Sequence, residues 1–271
     1  MEEYKRADIY FVAHADDWQL FMDPEISKSM ADKTCKVIIV HTTAGDAGSE
    51  DRYWKAREFA SQESILFRVS VDGHLHRKTM EWTDRQNRKH SCMVFNNCYC
   101  YFLRLPDGAY DGRGFERYDH QSLEKLRTGI IRSLARVDGE YSYTGWDDLT
   151  STIDHIIQME IPAHLLEDRS GVCLNIPEYE NELSPYDHND HYNTSLLVQG
   201  TKSYGLYRKR AFVGYHIKNN HRLLSEEELF WKIGMFSSYQ QSLFREYGHS
   251  TISEDPSYIT WCFRNCSFRE L

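Results

Sequence analysis

What the sequence lacks narrows it first. No stretch approaches the roughly 20 consecutive apolar residues of a membrane span, so no membrane partner is expected. Residues 1–6 run directly into the first apolar stretch, with no basic segment followed by an apolar one, so no secretory leader is read and the expected location is the cytoplasm. Basic residues are in deficit: 32 Lys and Arg against 41 Asp and Glu leave a net charge of −9. A phosphate backbone asks for a basic face, so nucleic acid is not the expected partner. Paired cysteines are not in evidence either. Seven is an odd number, and neither Cys98-x-Cys100 nor Cys262-x-x-x-Cys266 has the spacing of a zinc ribbon. In a reducing compartment they read as free thiols. Internal repeats, linkers and low-complexity segments are also missing. What is there is a chain of 271 residues, 41% hydrophobic and 14% aromatic, ample for a buried core. It is read as a single domain over residues 1–271.

The hydrophobic pattern predicts an α/β protein. Residues 8–13 read as a strand and 18–31 as a helix broken early at Asp23-Pro24. Val37-Ile38-Ile39-Val40 is wholly apolar, as a central parallel strand should be. A glycine-containing loop, residues 42–48, leads to a helix over 52–67. This βαβ start makes the sheet parallel and right-handed in its crossover. Residues 74–100 carry a basic stretch (Arg77, Lys78, Arg85, Arg88, Lys89, His90) and read as an irregular connection into a strand at 98–103. Residues 104–112 form a loop by their Pro, Asp and Gly content. Helices are expected over 123–136 and 146–160, a loop over 177–191, and a helix opening at 192. Late strands are expected at 204–207 and 212–215, and an amphipathic helix over 226–247.

The chemistry starts at Ala13-His14-Ala15-Asp16-Asp17, where the first strand stops at a His and two carboxylates. A catalytic zinc takes about three protein ligands plus a water. His14 and Asp17 can supply two of them from one turn, leaving Asp16 free as a base. The same carboxylates also suit a helix N-cap. A second cluster, Tyr186-Asp187-His188-Asn189-Asp190-His191, lies just before a predicted helix. Of its two histidines, one can complete a His/Asp/His site and the other can donate to a developing oxyanion. Alone they would read as surface histidines on an acidic loop. Together with the first cluster they make a joint site the better reading.

These residues resemble a family. Ala13-His14-Ala15-Asp16-Asp17 is similar to the Ala-His-Pro-Asp-Asp signature of the LmbE/PIG-L-like zinc deacetylases, and His188-Asn189-Asp190-His191 to their His-x-Asp-His element. Residues 20–26, Thr43 to Gly48, Tyr53-Trp54 with Arg57-Glu58, and Leu105-Pro106-Asp107-Gly108 resemble further segments of one branch, in order. The resemblance implies a Rossmann-like, mostly parallel sheet with helices on both faces and a site at the strand C-termini. It implies zinc, with Fe2+ or another divalent metal suited to the same ligands, held by His14, Asp17 and His191. Asp16 would be the general base. His188 would stabilise the oxyanion or protonate the leaving amine, and Tyr186 would polarise the carbonyl. The implied reaction removes an N-acetyl group from a small-molecule substrate, an amino sugar or its conjugate. Two departures stand out: Ala15 replaces the usual Pro, and Trp18 replaces a frequent Glu.

Asp46, Asp107, Arg57 and Trp18 are candidates for substrate binding, each with a structural alternative: turn chemistry for the two aspartates, an ion pair for Arg57 and core packing for Trp18. His41 reads as a satisfied buried histidine and His74-x-His76 as solvated surface. Three other functions compete. One is an amidohydrolase acting on a non-sugar N-acyl metabolite. Another is a nucleotide-binding module built on Gly45-x-x-Gly48, which lacks the full glycine pattern. The third is a non-catalytic binder, against which Asp16 speaks.

Overall fold

The computed structural model describes residues 3–71, 73–84 and 86–271; Met1, Glu2 and Arg85 of the readings above lie outside the described residues. The strands are β1 (Arg6–Val12), β2 (Cys35–Thr43), β3 (Arg77–Thr83), β4 (Lys89–Phe95), β5 (Cys98–Leu105), β6 (Ser133–Ala135), β7 (Ser142–Thr144), β8 (Val172–Pro177), β9 (Arg208–Phe212) and β10 (Phe268–Glu270). Eight form one sheet in the order β10-β9-β8-β1-β2-β5-β4-β3, and β6 and β7 pair separately. The five central strands, β9 to β5 in that order, run parallel. Both edges are extended by antiparallel strands. The fold is α/β and mostly parallel, as expected.

Alternation along the central strands builds the two faces. Ile9, Phe11, Ile38 and Val40 pack with Ile153, Ile156 and Ile157 of the helix Trp146–Glu160 and with Leu197 of the helix Asn189–Gln199. Tyr10, Val12, Val37 and Ile39 face the other way, against Met30 of the helix Glu25–Ala31, Ile65 of the helix Asp51–Val69 and Met235 of the helix Glu226–Tyr247. The last of these starts on a Ser225/Glu228 capping box and runs over its expected span.

Several local expectations are corrected. The segment read as irregular is the hairpin β3–β4. Its β3 is an exposed edge strand carrying Arg77, Lys78 and Glu81. Charges that guard an edge erase the hydrophobic alternation by which a strand is recognised. The helix expected over 123–136 stops at Arg127. Gly129, at φ +76°, turns the chain into β6. The two late strands are one, β9, lying between the expected pair. The helix after the acidic loop starts at Asn189, so His191 is helical rather than in the loop.

The chain goes from β1 to β2 on one side and later returns to β8 on the other. The β1/β8 boundary is therefore the point where strand order reverses, and a crevice opens there at the carboxyl ends.

Candidate active site

Four adjacent parallel strands each end beside this crevice. His14, Asp16 and Asp17 follow β1, Gly45 and Asp46 follow β2, and Asp107 follows β5. The loop after β8 leads to His188 and to the helix bearing His191.

His14, Asp17 and His191 converge, all buried, with donor atoms within 4.8 Å of one another. Asp17 Oδ1 lies 3.5 Å from His14 Nδ1 and 3.2 Å from His191 Nε2. Asp17 Oδ2 accepts the His14 backbone N–H at 2.7 Å, fixing the turn. Each imidazole has a carboxylate behind it. The far nitrogen of His191, Nδ1, is 2.7 Å from Asp187 Oδ1, and that of His14, Nε2, is 3.6 Å from Asp190 Oδ2. Carboxylates in those positions set tautomer and ring orientation in metal-ligating histidines. His14 Nε2 and Asp190 Oδ1 are buried without a hydrogen bond. The donor set, two imidazoles and a carboxylate, fits a divalent cation. The orphaned atoms lie on the side of Asp107 and His188, a second group that could hold one.

Without a cation, the cluster holds itself together by charge. Burial opposes the imidazolium of His14, but Asp17, Asp190 and Asp107 outweigh it and raise it to about 10. Burial also opposes the His191 imidazolium, and Asp17 and Asp187 push it well above the usual range. Asp17 is held well below its own, because the two histidines outweigh its burial. His188 differs. Burial, reinforced by the positive charge of His14, lowers it to about 4. Its Nδ1 accepts the Asp190 backbone N–H at 3.2 Å. The proton of the neutral ring therefore sits on Nε2, which is 3.7 Å from Asp107 Oδ1.

Asp16 is divided between its two oxygens. Oδ1 accepts from Arg57 Nη2 at 2.5 Å; Oδ2 is buried with no hydrogen bond. Arg57 also donates from Nη1 to the Gly45 carbonyl at 2.6 Å and from Nε to the Tyr239 hydroxyl at 2.9 Å. Gly45, at φ +55°, is required there, since a Cβ would stand 2.5 Å from Arg57 Nη1. The Gly45-x-x-Gly48 loop is thus filled by the protein's own guanidinium rather than shaped for a phosphate.

The structure brings His14, Asp16, Asp17, Asp107, His188 and His191 together. The other candidates are placed differently. Arg57 is consumed by Asp16, Gly45 and Tyr239. Asp46 is fully buried and accepts the backbone N–H groups of Asp107 and Gly48, which is turn chemistry. Trp18 is fully buried in the core and donates to Ser61 Oγ at 3.0 Å, so it does not line the crevice. Tyr186 is 86% exposed, at φ +58°. A cavity of about 330 Å³ lined by Asp84, Asp154, His155 and Lys202 shares no residue with the cluster.

Reading the residues missed Asp187 and Tyr215. Asp187 stands four positions before His191, a spacing that faces one side of a helical turn, and this was the available signal. Besides His191 it accepts the backbone N–H groups of His188 and Tyr215 and the hydroxyl of Ser184. Tyr215 packs its ring 5.3 Å from that of His191 and stacks on Trp261 at 4.7 Å. Nothing local in the sequence marks it.

The family model for GlcNAc-PI de-N-acetylase (PIG-L) matches residues 9–200. The chain belongs to this family. The match spans every titratable residue of the cluster and stops before Tyr215, Tyr239 and Trp261. Among solved structures, the zinc-inhibited form of teicoplanin deacetylase Orf2 is 12% identical, over 88% of this chain and 84% of that one, with a TM-score of 0.48. A 4-carboxy-2-hydroxymuconate hydratase, GalB from Pseudomonas putida KT2440, is 10% identical over 98% and 96%, with a TM-score of 0.49. A teicoplanin complex of the deacetylase is 10% identical over 92% and 93%, at 0.45. Likenesses at this level do not bear on activity. No curated protein matches the chain. Among the described residues, no helix is long and apolar enough to cross a membrane.

Proposed function

We propose that this protein is a metal-dependent amide hydrolase that removes an N-acetyl group from an amino sugar or its conjugate, acting as one domain over residues 1–271. The observation that carries the reading is the convergence of His14, Asp17 and His191 beside a carboxylate oxygen, Asp16 Oδ2, that is buried and unengaged. The family supports the N-acetyl substrate class. Seven cysteines buried as free thiols support a reducing, cytoplasmic setting.

Zinc or Fe2+ held by His14, Asp17 and His191 would supply Lewis acidity, lowering the pKa of a water and polarising an amide carbonyl. The residues do the rest. Asp16 Oδ2 takes the proton of the attacking water, while Arg57 pins Oδ1 and so aims Oδ2. His188, neutral with its proton on Nε2, donates a hydrogen bond to the oxygen on which charge develops. A neutral imidazole does not give up that proton, and burial, the main cause of its neutrality, is the same with a cation in place. The proton that reaches the leaving nitrogen is therefore the one Asp16 removed. As the C–N bond breaks, acetate and a free amine leave.

The test is a panel of sugar and non-sugar N-acetyl compounds, scored by released primary amine with metal-reconstituted protein. Asp16→Ala should keep its metal and lose on the order of 10²–10⁴ in rate. His191→Ala should lose both. Full release by Asp16→Ala would sink the mechanism. Purified protein without a divalent metal, and without rescue by added zinc or Fe2+, would sink the site. Release from non-sugar amides alone would move the substrate to another N-acyl class.

A further inference from the structure

We propose that the second donor to the reacting acyl oxygen, opposite His188, is the hydroxyl of Tyr215 rather than that of Tyr186. The inference rests on the hydrolase reading and deepens it.

Tyr186 is badly placed for the task. It is 86% exposed, and its ring makes no contact with another ring of the site among the described residues. Its backbone carbonyl is held by the Tyr110 hydroxyl at 2.7 Å, which fixes the loop but leaves the side chain in solvent.

Tyr215 is well placed. It opens the short 3-10 turn Tyr215–Asn219 that follows β9. Its ring meets His191 edge-on at 5.3 Å and lies 6.5 Å from His188 and 5.7 Å from Phe21. Behind it, Trp261 stacks at 4.7 Å with the planes 19° apart. The backbone is clamped on both sides. Its N–H donates to Asp187 Oδ1 at 3.3 Å, and its carbonyl accepts from Trp261 Nε1 at 3.1 Å. A tyrosine held so firmly has little freedom to move its hydroxyl. Yet that hydroxyl makes no hydrogen bond among the described residues, although the carboxylates of Asp17, Asp187, Asp16 and Asp107 all act on it. The residue is only partly buried, so this hydroxyl stays accessible to water or to a ligand in the crevice. The comparable phenol of Tyr239 is already engaged, by Arg57.

The chemistry asks for such a group. When water adds to the amide carbon, the carbonyl π pair moves to oxygen. Donors already aimed at that oxygen lower the barrier because they need no reorganisation. His188 Nε2–H supplies one, and the Tyr215 O–H supplies the second from the facing side. Tyr215 only shares its proton, so the proton balance through Asp16 is unchanged.

The experiment compares zinc-loaded wild type, Tyr215→Phe and Tyr186→Phe in two readouts: kcat and KM on an N-acetyl substrate, and calorimetric affinity for acetohydroxamate, an acyl-oxygen mimic that is not turned over. Tyr215→Phe should lower kcat by about 10²–10³ with KM within about threefold, and weaken acetohydroxamate about tenfold or more. Its zinc affinity should match wild type. Tyr186→Phe should stay near wild type in both. Wild-type kcat and wild-type acetohydroxamate affinity in Tyr215→Phe would overturn the proposal, as would the same losses appearing in Tyr186→Phe instead. Failure of wild type to release amine from any N-acyl compound would remove the hydrolase reading. The acetohydroxamate comparison then still decides Tyr215: a tenfold loss keeps it as the donor, and equal or absent binding removes it.

Discussion

Residues 9–200 and residues 201–271 meet at one site but contribute different things. The first stretch brings every carboxylate and imidazole of the cluster, from His14 to His191. The second brings aromatic rings and clamps: Tyr215 against His191, Trp261 behind Tyr215, and Tyr239 on Arg57. Reactive groups cluster at strand ends because the topology opens a crevice there, so a few local motifs can deliver all of them. Walls are built by packing between elements distant in sequence, and Arg57 and Tyr239 are 182 residues apart. If this division is real, perturbing one half should leave the signature of the other intact.

The largest effect expected belongs to the titratable half. In the metal-free protein, His14 is raised from about 6.5 to about 10, and His191 is raised as well. A raised histidine adds stability that is complete below pH 6.5 and is lost as pH climbs through its folded value. Metal-free protein should therefore melt at progressively lower temperature from pH 7 toward 10. A cation must displace both protons, so zinc affinity should rise by about a hundredfold per pH unit across this range. Calorimetry at pH 6.5, 7.5 and 8.5 reads the slope. A flat profile would mean that the histidines are already neutral. Variants of Tyr215 or Trp261 should leave the slope unchanged.

The aromatic half is tested by Trp261→Ala. Trp261 is buried between Phe21, Tyr215 and Tyr258 and bonds the Tyr215 carbonyl. Truncation should cost about 3–5 kcal/mol of stability by denaturant melting. KM should rise, while the pH slope of zinc binding stays as in wild type. A changed slope would break the comparison.

The same division explains what could be read from the chain. β1, β2 and the long helices were legible because apolar runs and 3.6-residue periodicity are local signals. So were His14, Asp16, Asp17, His188 and His191, whose motifs span five or six residues and which the fold gathers at one place. The hairpin β3–β4 was not legible, because Arg77, Lys78 and Glu81 on an exposed edge hide the strand pattern. Arg57 was legible only in part: an ion pair was one of its two readings, but only the packed structure shows Asp16, the Gly45 carbonyl and Tyr239 sharing its guanidinium. Tyr186, given its role by the resemblance alone, stands apart from the cluster: a left-handed backbone and a loop tied to Tyr110 leave its side chain exposed.

Asp187 joins the halves, since one oxygen accepts from His191 and from the Tyr215 backbone. Asp187→Asn keeps the size and can still accept from the backbone donors. It loses the charge that orients His191. Zinc affinity should fall about 10–100-fold in a chelator competition. Unchanged affinity would mean that His191 is oriented by its helix alone, and the join would then be structural only.

The smallest effect expected is the sharpest probe of whether the second half does more than line the crevice. Tyr239 lies on the helix Glu226–Tyr247, and its hydroxyl accepts from Arg57 Nε at 2.9 Å. Tyr239→Phe removes that acceptor and leaves a buried N–H of a charged group without a partner, a penalty of about 1–3 kcal/mol. Arg57 can relieve it only by shifting, and it cannot shift without moving Asp16, whose Oδ1 it holds. The free Oδ2 then drifts from its line toward the attacking water. We expect kcat to fall about threefold to tenfold, with KM and zinc affinity unchanged, because no metal ligand or wall residue has moved. A merely structural role would lower the melting temperature and leave kcat of the folded enzyme alone. That outcome would confine residues 201–271 to the wall. A selective loss in kcat would show that they also aim the base.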